Sequence, residues 1–155
     1  MRALITGGAK RLGREMALYV AARGYDVAVH YASSQAAADA VVAEIQALGC
    51  KATALPADLL IEAEVQELLP AAAAALGGPI TCLINNASIF EYDTLETATR
   101  TSWDRHIESN LRAPFVLSQA FAAQLPKAQM DANNEPIAQG LIINMIDQRV
   151  RKLTP

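Results

Sequence analysis

Short apolar runs alternate along this chain with longer segments in which apolar positions recur at helical spacing. The first run, "RALIT" (2–6), ends in glycines and predicts a buried strand. Over 14–23, Met16, Ala17, Val20 and Ala21 recur as on one face of a helix, and Gly24 supplies the stop. "DVAVHY" (26–31) predicts a second strand. Ser33 or Ser34 caps a second helix through Val41, Val42, Ile45 and Leu48, ended by Gly49. "KATALP" (51–56) reads as a third strand, and 62–76 as a third helix interrupted or bent at Pro70. "ITCLIN" (80–85) is the fourth strand and 101–125 a long helix on which Trp103, Ile107 and Leu111 follow core spacing. "GLIINMI" (140–146) is the fifth strand, reached through the polar, turn-rich surface connection of 126–139.

Apolar strands separated by amphipathic helices imply right-handed crossovers and a parallel sheet covered on both faces. The predicted fold is α/β, a Rossmann-like doubly wound sheet in the order 3-2-1-4-5, with ligands at the carboxyl ends of its strands. No repeat or second boundary interrupts the 155 residues, so one domain is expected. Alanine supplies much of the 52% hydrophobic content, and a net charge of −3 without a basic run gives nucleic acid nothing to bind. Cys50 and Cys82 lack metal or redox spacing and suggest a reducing compartment. No apolar run approaches the roughly 20 residues of a membrane helix. Apolar "ALI" leads straight into glycines rather than a signal peptide, so a cytoplasmic protein is expected.

The chemistry begins at "TGGAKRLGRE" (6–15). Gly7, Gly8 and Gly13 separate the first strand from the first helix. Glycines there permit a tight turn and close approach of backbone N–H groups to a pyrophosphate, which also gains from the helix N-terminus. A purely structural turn is the alternative. The spacing is not G-x-G-x-x-G. It resembles the T-G-x-x-x-G-x-G loop of short-chain dehydrogenases/reductases, with Arg11 in place of the middle glycine. Within that superfamily the same replacement resembles the pteridine reductases and their bacterial dihydropteridine-reductase relatives. "AVHYASS", "ADLL", "NNASIF", "SNLRAPF" and "IINMID" extend the resemblance over the whole chain.

The resemblance implies NADP(H) as cofactor. The second strand ends His30, Tyr31, Ala32, Ser33, Ser34, with no carboxylate to hold a ribose diol. Lys10 stands where NADP-preferring relatives often carry a basic residue. Ser33 and Ser34 either serve the 2′-phosphate or only cap the next helix, and His30 either faces the cofactor or packs. Asp58 and Leu59 would address the adenine, turn capping being the alternative for Asp58. Gly7, Leu12, Gly13, Asn86, Ala87 and Ser88 would line the cofactor crevice. Arg11 would reach over the phosphates to the substrate edge. Phe90, unless it is core, would stack a flat pterin against the nicotinamide, with Ser88 in the same slot.

Two residues stand for catalysis. Pro114 lacks the N–H that would bond the carbonyl of Asn110, which frees an acceptor for the family's proton relay, a plain kink being the alternative. Asp147 stands where short-chain reductases usually place a serine and where the resembling pteridine reductases carry aspartate, unless it only caps a helix. No metal is expected, and His106 reads as exposed. The family's Tyr-x-x-x-Lys pair should follow Asp147, yet Tyr19, Tyr25, Tyr31 and Tyr92 all come earlier. The chain is therefore expected to be truncated before the last strands and inactive alone. Complete, it would be an NADPH-dependent reductase of a pterin or dihydrofolate-like ring, a homodimer or homotetramer through the long helix. The alternatives are a 3-oxoacyl or carbonyl short-chain reductase and a non-catalytic nucleotide-binding fragment.

Overall fold

A computed structural model describes residues 1–147. Five strands, β1 (Arg2–Ile5), β2 (Asp26–Tyr31), β3 (Ala52–Pro56), β4 (Cys82–Asn85) and β5 (Leu141–Asn144), form one parallel sheet in the order β3-β2-β1-β4-β5. This is the predicted order. At the carboxyl ends Ile5 is in register with Val29 on one side and Ile84 on the other, and Asn85 with Asn144.

Alternation along the strands separates two cores. Ala3, Ile5, Val27 and Val29 pack with Ala17 and Ala21 of α1 (Arg11–Ala21) and with Val41 and Ile45 of α2 (Gln35–Ala47). Leu4, Ala28 and Leu83 turn the other way, onto Leu69, Ala72 and Leu76 of α3 (Glu62–Leu76). Leu117 and Phe121 of α5 (Ala113–Gln124) complete that layer. Both faces of each central strand are buried, which is why the strands read as continuous apolar runs.

Three expectations change. Helix α1 begins at Arg11 rather than 14, inside the glycine loop. Helix α3 runs through Pro70 unbroken: Leu68, Leu69 and Ala72 are buried on either side of the exposed proline, and this packing outweighs the lost backbone bond. The long helix is three pieces, α4 (Arg100–Ile107), a π-helical turn (Glu108–Arg112) and α5. Thr99 and Ser102 form a reciprocal capping box at its start. Within the π turn the Ala113 N–H donates to the Glu108 carbonyl, five residues back.

Trp103, Ile107 and Leu111 are not core. Their exposures are 64%, 37% and 64%, and Phe115 continues the line at 53%. The buried line is Ser109, Ala113, Val116, Leu117 and Phe121. Periodicity marks an apolar stripe without saying what covers it. Strand β5 pairs with β4 alone among the described residues and leaves Leu141 and Ile143 half-exposed. No helix among the described residues is long and apolar enough to cross a membrane.

Candidate active site

The carboxyl ends of β1 and β4 are joined by one hydroxyl. Thr6 Oγ1, buried, accepts the N–H groups of Asn86 at 2.9 Å and Ala87 at 3.0 Å. The Asn86 amide returns bonds to the carbonyls of Thr6 (2.9 Å) and Gly7 (3.3 Å). The loop after β4 is thereby fixed beside the glycine loop.

Gly7 turns the chain at φ +64°, and a Cβ there would press on Ala87 Cα at 3.1 Å. A Cβ on Gly13 would overlap the Gly7 carbonyl and lie 2.7 Å from Asn86 Nδ2. These glycines are required by the approach of α1 to β4, whatever the loop binds. Lys10 at the N-cap makes no side-chain cap bond, and the first turn of α1 holds no acidic residue. The helix N-terminus therefore keeps its positive end and orphan N–H groups for an outside anion.

A cavity of about 380 Å³ opens at this point, lined by Gly7, Lys10, Arg11, Leu12, Gly13, Asn86, Ala87 and Ser88. Eight of the predicted site residues meet there. A neighbouring cavity of about 520 Å³ shares Leu12, Asn86 and Ser88 and brings in Phe90, Asn110, Met145, Ile146 and Asp147. The predicted substrate and catalytic residues thus share one wall with the predicted cofactor loop. Phe90 is 72% exposed, so the core alternative does not hold.

A family model described as short chain dehydrogenase matches residues 1–146. The chain belongs to the short-chain dehydrogenase family. It is 35% identical over 130 residues to the 3-oxoacyl-[acyl-carrier-protein] reductase FabG of Staphylococcus epidermidis, covering 84% of this chain and 53% of that protein. The crystal structure of FolM alternative dihydrofolate reductase 1 from Brucella canis, complexed with NADP, matches with a TM-score of 0.87. Identity there is 35%, over 99% of this chain and 57% of that one. A short chain dehydrogenase from Burkholderia cenocepacia in complex with NADP gives 0.78 at 40% identity, over 81% of this chain and 51% of the other. The chain spans about half the length of these relatives. The segment beyond Asp147 lies outside the described residues, and its sequence holds no tyrosine.

Other site residues of this short-chain dehydrogenase sit away from the two cavities. Tyr31 and Leu59 bury their side chains in the core, at 9% and 8% exposure, so only their main chain is offered to a ligand. Asp58 is exposed; its carboxylate accepts the Leu60 N–H at 3.0 Å, and Glu64 accepts the Asp58 N–H at 2.6 Å. The turn-capping role is present. Ser33 is exposed and Ser34 occupies the N-cap of α2, yet its side chain makes no capping bond.

His30 is buried and packs rather than facing the cavities. Its Nδ1 accepts the Gly7 N–H at 3.0 Å and its Nε2 lies 3.0 Å from the Ala57 carbonyl. Burial holds its pKa below the ordinary histidine value, against opposing effects of the Ala57 hydrogen bond and the Asp58 charge. Both ring nitrogens are engaged by backbone, which leaves none for a cofactor.

The Asn110 side chain fastens the loop after β4. Its Oδ1 accepts the Ile89 N–H and its Nδ2 donates to the Ile89 carbonyl, both at 2.8 Å. His106 also holds this loop rather than standing exposed. Its Nε2 accepts the Glu91 N–H at 3.1 Å and its Nδ1 lies 2.8 Å from the Ser102 carbonyl. The Arg105 guanidinium hydrogen-bonds Glu91 and holds that carboxyl below its usual range. Neither Thr6 nor His106 is assigned a role from the sequence. The Asn85 amide, donating to Asn144 Oδ1 at 2.8 Å, ties the neighbouring ends of β4 and β5 together.

Proposed function

We propose that this chain is the cofactor-binding part of a single Rossmann domain in an NADPH-dependent reductase of pterin or dihydrofolate-like rings. The observation that carries this reading is Arg11. It replaces a glycine of the family loop at φ +52°, a conformation unfavourable for any side chain, on the wall of the cofactor cavity. A strained arginine fits a requirement for its guanidinium. The likeness to FolM, and its crystallisation with NADP, support the same reading.

The residues present fit a dinucleotide. A Cβ at Gly7 or Gly13 would fill the space where backbone meets backbone, and no protein carboxylate competes for the first turn of α1. The first-turn N–H groups would hold the pyrophosphate, and Gly7, whose own N–H is given to His30, would let the backbone approach it. Lys10, Ser33 and Ser34 would hold the 2′-phosphate, and Asp58 with the Leu59 main chain the adenine. Asn86, small Ala87 and Ser88 form the side against which the nicotinamide half would lie. Bound NADPH supplies the hydride. Phe90 stacks the flat substrate ring, Arg11 donates hydrogen bonds to its polar edge, and Ser88 lines the same slot. Asp147, with the tyrosine expected of the complete protein, would manage the proton that balances the hydride, and the Asn110 carbonyl would hold a water of the relay. The exposed stripe Trp103–Ile107–Leu111–Phe115 supports assembly into a homodimer or homotetramer through the long helix.

The test is NADPH oxidation by the full-length protein with dihydrofolate, dihydrobiopterin and a 3-oxoacyl thioester offered separately. Turnover of the pterins, with Phe90→Ala raising their KM, is expected. Lys10→Ala should weaken NADPH about tenfold, the loss of one charge-assisted bond of about 1.5 kcal/mol, and leave NADH nearly unchanged. Equal losses remove the 2′-phosphate assignment. Efficient thioester reduction without pterin turnover favours the second reading, a 3-oxoacyl reductase, which the 35% identity to FabG supports.

A further inference from the structure

We infer that His30 is a positioning residue for the phosphate turn, and that its protonation releases the Gly7 N–H and weakens dinucleotide binding. The inference rests on the NADPH reading above for the ligand, and on local geometry for the switch. A peptide N–H can only donate, so Nδ1, 3.0 Å from the Gly7 nitrogen, presents a lone pair. A carbonyl can only accept, so Nε2, 3.0 Å from the Ala57 oxygen, carries the hydrogen. Both contacts select one neutral tautomer. The imidazolium carries hydrogen on both nitrogens and would set N–H against N–H at Gly7.

The turn has little room to adapt. Gly7 lies at φ +64°, with its Cα environment closed by Ala87 and Asn86. Gly8 is anchored separately, its N–H donating to the His30 carbonyl at 2.9 Å. Ring protonation would therefore disturb Gly7 while Gly8 stays tethered, which alters the turn that sets the aim of the first-turn N–H groups of α1 assigned to the pyrophosphate. His30 is 1% exposed, so the charged ring would find no water of its own to offset the lost contact.

The charged group that bears on the ring is Asp58, after β3, which favours the cation. Glu64 of α3 stands behind it, bonded to the Asp58 N–H. Lys10 and Arg11 stand further along the glycine loop. Strand β3 and the adjoining end of β1 present no titratable side chain. Burial is the largest influence and favours the neutral ring.

The experiment uses the full-length protein labelled with ¹⁵N, titrated from pH 8 to pH 5. The ring nitrogens should report an unprotonated Nδ1 and a protonated Nε2 at pH 8, and the Gly7 amide should shift with the ring's own midpoint. NADPH Kd is measured in parallel for the wild type and for His30→Asn. The asparagine Oδ1 takes the place of Nδ1, accepts from Gly7 and does not titrate. Taking the ratio of the two Kd values at each pH cancels the 2′-phosphate titration near pH ~6. The wild-type Kd should rise relative to the variant by up to about tenfold per pH unit below the ring midpoint. Parallel profiles, a hydrogen on Nδ1 at pH 8, or a ring that stays neutral down to acid unfolding would each overturn the inference. If His30→Asn does not fold, a Gly7 amide indifferent to the ring's titration overturns it on the wild type alone. Absence of NADPH binding at every pH rejects the cofactor reading and this inference with it, whereas binding with parallel profiles rejects only the inference.

Discussion

Arg11 shows what one residue can cost and supply. The left-handed region is unfavourable for a residue with a Cβ by about 1–2 kcal/mol. Glycine at the same place would return about 0.4–1 kcal/mol of that as unfolded-chain entropy. Arg11→Gly should therefore raise stability by about 0.5–1 kcal/mol in urea unfolding, while raising the KM for a pterin. A variant less stable than the parent would mean that the guanidinium holds the loop together. His30 makes the second prediction at this scale. Its folded pKa lies below the unfolded value, so the unfolded chain binds more protons in the interval between them. The stability the neutral ring contributes is complete above about pH 6.5 and is lost as pH falls towards the folded value. Melting temperature should fall between pH 7 and pH 5, and His30→Asn should flatten that fall; equal slopes would assign the acid lability to other groups. Residue types told the sequence reader that this loop was special. Which side of the strand a side chain takes was less legible. Tyr31 at the end of β2 and Leu59 in the turn after β3 read as functional positions along the chain, yet both side chains turn into the core.

Between elements, the joint that organises the site is Thr6. Thr6→Val keeps the shape and leaves the Asn86 and Ala87 N–H groups without their acceptor. The expected cost is about 2–4 kcal/mol, read by chemical unfolding, and Thr6→Ser should recover most of it. Similar stability in both variants would show that the hydroxyl bonds do not hold β1 to the loop after β4. The five strands were legible because each is short, apolar and bounded by turn residues. The second strand kept its bounds and the others lost one or two residues at one or both ends, since the pairing partner and not the run itself decides where a strand stops. The capping box of α4 and the π turn were not read. Pro114 announced a disturbance in the helix, but a missing N–H is compatible with a kink, a break or a widened turn. Only the register of α5 against the sheet selects among them.

For the whole molecule, the parallel order of strands followed from the alternation of apolar runs and amphipathic helices. What the outer surface faces did not. Trp103, Ile107, Leu111 and Phe115 have the composition of core and the position of surface, and a single sequence does not distinguish burial within a chain from burial between chains. Leu111→Glu should convert the proposed oligomer to smaller species in sedimentation velocity while leaving the fold intact. An unchanged sedimentation coefficient would move the interface elsewhere. The π turn gives this stripe its alignment. On an uninterrupted α-helix the twelve steps from Trp103 to Phe115 would advance the side chain by about 120° beyond whole turns. One additional residue absorbed in the widened turn subtracts about 100°, leaving the two aromatic rings within about 20° of one meridian. The bulge thus converts a spiral of apolar side chains into a straight seam. Closing the turn into an ordinary α-helix without a deletion would rotate the tryptophan off the line of the phenylalanine by about 100°, whereas deleting one polar residue from Glu108–Arg112 would leave eleven helical steps and keep the two rings aligned.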